Sequence, residues 1–155
     1  MKLHGGESII YVDESGFAGN TVREYGWAAR GQKVYGDRPG KRQQRTSLLL
    51  AQSRAKRFAP LLFEGTCNTT VFNTWLKTCL LPELAPGQTL VMDNAAIHKS
   101  PETKILLDEA ECHLLFLPPY SPDFNPIEKT FGSLKNKRPF MPKGTTLDDL
   151  ICSIL

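Results

Sequence analysis

Ser8-Ile9-Ile10-Tyr11-Val12-Asp13-Glu14-Ser15-Gly16 is the stretch that decides how this chain folds. Its first half is nearly all apolar and lacks the alternation of a strand with one wet face. It therefore predicts a strand buried on both sides and central in its sheet. The turn-prone residues after Val12 predict that this strand stops at Asp13. A buried strand that hands over a carboxylate at its end is a candidate for chemistry as well as for structure.

Outward from it, residues 16–44 are rich in glycine and charge, with a weak strand signal at 25–29 and the turn Gly36-Asp37-Arg38-Pro39-Gly40. This reads as a long excursion from the sheet. Residues 46–51 and 58–63 are strand-like runs at hairpin spacing, and Pro60 marks the second as an edge strand. The period then changes. Residues 68–81 carry Val71, Phe72, Trp75, Leu76, Cys79 and Leu80 on a helical face, with Asn68, Thr69 and Thr70 available as caps. A strand at 89–92, a helix over 101–110 opened by Ser100 and Pro101, and a strand at 113–117 halted by Pro118-Pro119 follow. The last well-formed helix has Asn125 as its cap, Pro126 in its first position, and Ile127, Phe131 and Leu134 as its apolar stripe. Three meandering strands, then helix, strand, helix, strand, helix, imply an α/β fold with a mixed five-stranded sheet flanked by helices.

The chain of 155 residues with 41% apolar content suits one domain with one continuous core. Its net charge of +3 is unevenly spread. Lys33, Arg38, Lys41, Arg42 and Arg45 face only Asp37, and Lys129, Lys135, Lys137, Arg138 and Lys143 meet no acid before Asp148. Such local excess suits a polyanion, although either cluster alone also reads as a solvated face. Cys67, Cys79, Cys112 and Cys152 show no metal or redox spacing and read as buried free thiols in a reducing compartment. No apolar run approaches the roughly 20 residues that span a bilayer, and the first residues lack a secretory apolar segment. A cytoplasmic location is expected.

Asp13 has two counterparts: Asp93, after Thr89-Leu90-Val91-Met92, and Glu128, at the start of the last helix. If the strands of Asp13 and Asp93 are parallel neighbours, both acids emerge from one sheet edge, where open α/β sheets bind ligands. Oxygen-only ligands favour Mg²⁺ or Mn²⁺ over zinc, and two such ions about 4 Å apart can activate a hydroxyl and stabilise a departing oxygen. Each acid also fits a structural role. Asp13 and Asp93 could be Asx-type turn residues, and Glu128, three residues after Asn125, could complete a capping box. Asp123 competes with Glu128 as third ligand, though Ser121-Pro122-Asp123 reads better as a turn. His98 could support an acid, contact DNA, or be a loop histidine satisfied by backbone.

Three blocks carry a resemblance: Tyr11-Val12-Asp13-Glu14-Ser15-Gly16-Phe17, Val91-Met92-Asp93-Asn94-Ala95-Ala96-Ile97-His98, and Leu117-Pro118-Pro119-Tyr120-Ser121-Pro122-Asp123-Phe124-Asn125-Pro126-Ile127-Glu128. Together they resemble the signature blocks of the mariner-like transposases, in particular the bacterial insertion-sequence branch with an Asp-Asp-Glu triad. The third block is the most specific of them. The resemblance runs from about Ser8 to Lys137. It implies a ribonuclease H-like catalytic domain over residues 1–155 in which Asp13, Asp93 and Glu128 hold two Mg²⁺ ions, with Mn²⁺ as substitute and Asp13 shared between them. It further implies cleavage of element ends, transfer of a 3′-hydroxyl into target DNA, and a homodimer that synapses the ends on the bacterial nucleoid.

The resemblance implies helix-turn-helix modules before this domain in relatives, and from the first strand at Ser8 the expectation is a chain without such an N-terminal DNA-binding domain. The run from 145 to 155 begins a helix with Leu147, Leu150, Ile151 and Ile154 on one face, which the resemblance leads us to expect as an incomplete helix with an exposed apolar stripe. Lys41, Arg42, Arg45, His98, Tyr120, Lys129, Lys135, Lys137 and Arg138 are the expected DNA contacts, mostly to phosphate and therefore salt-dependent. Trp27 and Trp75 read as core. Two other classes fit these features: an inert DNA-binding or assembly module derived from a transposase, and a ribonuclease H-like nuclease that cuts without joining.

Overall fold

In the computed structural model, which describes residues 8–17, 45–119 and 124–155, the opening apolar run becomes β1 (Ile9–Phe17). Against one side of it lie β2 (Thr46–Gln52) and β3 (Arg57–Glu64), an antiparallel hairpin. Against the other side, β4 (Thr89–Met92) and then β5 (His113–Phe116) run parallel to it. The sheet order is β3-β2-β1-β4-β5, so β1 is central and β3 is an edge. The edge position of Pro60 follows, because proline has no N–H to give to a further strand.

β1 does not stop at Asp13. It pairs with β2 as far as Phe17↔Thr46, so Asp13 sits within the strand, opposite Leu50. The hairpin partner supplies hydrogen bonds that turn-prone residues lack on their own. A Cβ on Gly16 would meet only the guanidinium end of the exposed Arg45 side chain, which is long enough to move aside.

Both faces of the sheet are covered. Ile10, Val12, Leu49, Leu90 and Met92 pack beneath α1 (Thr69–Trp75) and α2 (Pro101–Glu109), against Phe72, Trp75, Leu76, Leu80 and Leu107. On the other face, Phe17, Leu48 and Leu50 meet Ile127, Phe131 and Leu134 of α3 (Ile127–Lys137) and Leu150 and Ile151 of α4 (Leu147–Cys152). The run Leu48-Leu49-Leu50 feeds the two cores alternately, as the pleat requires. Asn68 caps α1 through the Val71 N–H at 2.8 Å, worth about 1 kcal/mol. The helical path expected over 68–81 continues past Trp75 as a π-helical segment, Leu76–Leu80, and a 3₁₀ turn, Leu81–Glu83. The Trp75 indole N–H donates to the Ala59 carbonyl at 2.8 Å, where β3 is bulged and Ala59 is left-handed (φ 53°).

Three local expectations need correction. Pro126, not Asn125, occupies the cap position of α3, and the Asn125 side chain accepts from the Ile127 N–H at 3.3 Å. Proline cannot donate, so Ile127 offers the first N–H to cap. The stripe of α4 is not exposed: Leu150 and Ile151 are 1% and 3% exposed, and Leu147 and Ile154 pack beside them. Its own capping box, Thr146 with Asp149, closes that helix. Of the four free cysteines, only Cys112 is buried, and Cys152 is exposed. The strand signal at 25–29, the turn at 36–40, Trp27, Lys41, Arg42, Tyr120 and Asp123 lie outside the described residues. Among the described residues no helix is long and apolar enough to cross a membrane.

Candidate active site

The register of the two central parallel strands brings the first two acids together. The β1–β4 ladder ends at Tyr11↔Val91, and Asp13 and Asp93 each lie two residues beyond that pair. Equal offset along parallel strands puts both at the same level, and the period of two puts Asp13 on the face of Tyr11, which is covered by α3. Asp93 follows the last residue of β4, so the pair stands at the carboxyl edge of the parallel strands.

Asp13 is 6% exposed, and its Oδ1 accepts the Glu14 N–H at 2.8 Å. Its carboxyl is pushed up to about 8, first by burial, then by a hydrogen bond with the Glu128 carboxyl and by repulsion from Glu128 and Asp93, against the lowering effect of the Glu14 N–H. Glu128 and Asp93 thus stand close enough to Asp13 to oppose its ionisation. Asp93 behaves oppositely. It is held below the ordinary carboxylate value, chiefly by the hydrogen bond from His98, with the Ala95 N–H also helping and partial burial opposing. His98 Nδ1 stands 2.8 Å from Asp93 Oδ1, and the Ala95 N–H stands 3.2 Å from the same oxygen. Among the described residues no three His, Cys, Asp or Glu side chains surround a single point as ligands of one ion. The arrangement is Asp13 and Glu128 near enough to raise one another's cost of ionisation, with Asp93 alongside turned to a histidine.

Glu128 arrives on α3, and the tether of that helix is polar. Thr130, 5% exposed, donates to Gln52 Oε1 at 2.6 Å and accepts from Arg57 Nε at 3.2 Å. One hydroxyl thus links α3 to both strands of the hairpin, two residues from Glu128. Glu128 does not complete a capping box with Asn125: its N–H donates to the Asn125 carbonyl at 3.2 Å, and among the described residues its side chain makes no cap hydrogen bond. The sequence reading missed Gln52, Arg57 and Thr130. The available signal was a threonine on the apolar stripe of Ile127, Phe131 and Leu134, where an unpartnered hydroxyl would be costly. Phe72, which backs His98 at 4.6 Å between ring centroids, was read only as core.

The expected DNA contacts fall into three groups. His98 is corrected: at 2% exposure it is a buried partner of Asp93 and presents no surface to DNA. Lys129 and Lys137 are exposed along α3 and, with Gly132, Ser133, Asn136 and Phe140, line an open groove of about 580 Å³. Lys135 and Arg138 lie over the Phe17 ring, at 5.6 and 6.0 Å from its centroid. Arg45 is exposed but crosses Gly16, on the sheet face opposite Asp13. The Cys67 thiol, pushed up to about 12 by burial and by Glu14, is no nucleophile.

A ribonuclease H-like domain with an acid cluster at its sheet edge is the class that this order of strands and these side chains define. The chain belongs to the DDE superfamily endonuclease family, whose model matches residues 8–150. Its fold is that of solved mariner transposase structures. It is similar to a Mos1 transposase paired-end complex with left transposon end (TM-score 0.60, 21% identity, 85% of this chain and 42% of that one). It is also similar to a mariner Mos1 paired end complex with Mg (0.61, 22%, 83% and 41%) and to the catalytic domain of Mos1 mariner transposase (0.61, 12%, 95% and 67%). The chain thus spans about two fifths of the first two solved chains, 42% and 41%. No curated protein matches the sequence.

Proposed function

We propose that this chain is the catalytic domain of a DNA transposase of the bacterial insertion-sequence branch, cleaving and joining DNA strands with divalent metal. The observation that carries the reading is the β1–β4 register, which sets Asp93 level with Asp13, with Glu128 near enough to raise the Asp13 carboxyl. Three acids brought to one place oppose one another's ionisation, and a bound cation is the means by which such a site becomes stable with its carboxylates charged. An all-oxygen donor set suits Mg²⁺, with Mn²⁺ as substitute. Asp13, Asp93 and Glu128 are the residues that would hold such ions. When bound, such ions supply activation of a water or 3′-hydroxyl and neutralise charge on the departing oxygen.

The rest of the work falls to this chain's residues. Asp13 is fixed by the strand and by the Glu14 N–H, and Glu128 by the Thr130 tether, so neither must be ordered during reaction. Lys129 and Lys137, with Lys135 and Arg138 nearby, would bind phosphates beside the cut; Arg45, Lys41, Arg42 and Tyr120 are the further candidates. The partners on this reading are element ends and target DNA, bound by a homodimer in the bacterial cytoplasm. The Mos1 complexes with a transposon end and with Mg support the DNA and metal assignments by shared fold.

The test is to supply a pre-nicked duplex with a free 3′-hydroxyl and Mn²⁺. Joined product is expected. Hydrolysis without joining would make the chain a nuclease, and binding without either would make it an inert module.

A further inference from the structure

We propose that His98 is a positioning residue for the proposed active site: its Nδ1–H fixes Asp93 Oδ1, so that Oδ2 is the oxygen turned to metal. The inference rests on the metal reading above, and the observations behind it are its own. Asp93 has 52% of its side chain open, against 6% exposure for Asp13, so hydrogen bonds more than packing restrain its carboxyl. Its restraint comes from two donors, both on Oδ1: His98 Nδ1 at 2.8 Å and the Ala95 N–H at 3.2 Å. A carboxylate pinned through one oxygen offers the other in a fixed direction, which is how supporting hydrogen bonds orient a metal ligand.

The imidazole itself cannot wander. It is 2% exposed, carried on the 3₁₀ turn Ala96–His98, and its ring lies 4.6 Å from that of Phe72, a residue with no exposure at all on α1. Nδ1 also lies 3.3 Å from the Asp93 carbonyl oxygen. Both neighbours of Nδ1 are acceptors, so Nδ1 carries the hydrogen and donates. Nε2, by contrast, is buried with no hydrogen-bond partner among the described residues. A side chain kept only for packing against Phe72 would be better apolar, since this one leaves a polar atom unsatisfied. Among the described residues, the ring's polar contacts are all with Asp93. Asn73 holds the far side of this loop: its side chain donates to Ser100 Oγ at 3.0 Å and accepts from Thr103 Oγ1 at 2.6 Å.

Two variants and two measurements decide it. H98L keeps an apolar side chain against Phe72 and removes the donor; H98N keeps a donor near the Nδ1 position. Mn²⁺ affinity, titrated by electron paramagnetic resonance on the purified protein, should fall about 10- to 100-fold in H98L and largely recover in H98N, the range seen when a ligand loses its supporting partner. A crystal structure of metal-free H98L should show the Asp93 carboxylate displaced from its contact with Ala95. Wild-type Mn²⁺ affinity in H98L, or an unmoved Asp93, overturns the proposal. Failure of the wild-type chain to bind Mn²⁺ overturns the metal reading instead, and the position of Asp93 in H98L still decides whether His98 holds it.

Discussion

Replacing Asp13 by asparagine should stabilise the metal-free protein while destroying its metal response. Asparagine has the same shape, can still accept the Glu14 N–H now at 2.8 Å, and can donate to Glu128, so it creates neither a cavity nor an orphaned donor. What it removes is a carboxyl raised from 3.8 to about 8 by burial and by the neighbouring acids. A rise of that size corresponds to about 6 kcal/mol. Part of it belongs to the Asp13–Glu128 pair rather than to one residue, so about 2–3 kcal/mol is assigned to folding. The sign follows from which state holds the proton. Below about pH 4 both folded and unfolded chains keep Asp13 protonated, and its contribution to stability is whole. As pH rises, the unfolded chain releases the proton first, and the contribution is lost progressively until pH passes the folded value near 8. In EDTA, then, the melting temperature of wild type should drop relative to Asp13→Asn between about pH 5 and about pH 9, ending roughly 5–10 °C below it for a domain of this size. Mg²⁺ should recover wild type and leave the variant unmoved, because only the former gains a ligand-linked term. Melting curves that stay parallel across this pH range, or a variant less stable than wild type at the alkaline end, would refute the reasoning.

Asp93→Asn should move the melting temperature by no more than about 1–2 °C, as at an exposed site, and abolish metal-dependent cleavage; cleavage at the wild-type rate in purified variant would remove Asp93 from the site. Thr130→Val should cost about 1–3 kcal/mol by leaving Gln52 and Arg57 without their shared hydroxyl, read by urea denaturation, and should lower cleavage further than stability alone explains. Lys129→Ala with Lys137→Ala should weaken DNA binding uniformly across sequences and reduce the slope of log affinity against log salt by about 2; an unchanged slope would place the phosphates elsewhere.

How far the residues alone reveal this molecule depends on how local each cause is. The hairpin of β2 and β3, the capped starts of α1 and α2, and the edge position of Pro60 were readable because each is decided within a few residues. Where the cause lay across the sheet, the reading went astray: β1 runs on past Asp13 because β2 pairs with it, and α4 buries its stripe because a second core waits beneath. The same division runs through the site. That Asp13 and Asp93 share one edge follows from two apolar runs each ending in an acid, since parallel register converts equal offsets into neighbours. That Glu128 reaches Asp13 does not follow from its own helix. An α3 held only by Ile127, Phe131 and Leu134 could slide over the apolar face at little cost, because hydrophobic contact is not directional. The Thr130 hydroxyl, with a donor from β3 and an acceptor on β2, is what selects one position, and hydrogen-bond geometry is steep enough to do so. The placement of the third acid therefore depends on a residue that touches no other acid. His98 poses the same difficulty in reverse: its letter suggests a surface contact, and only the Phe72 ring behind it shows that its one polar contact points inward, at Asp93.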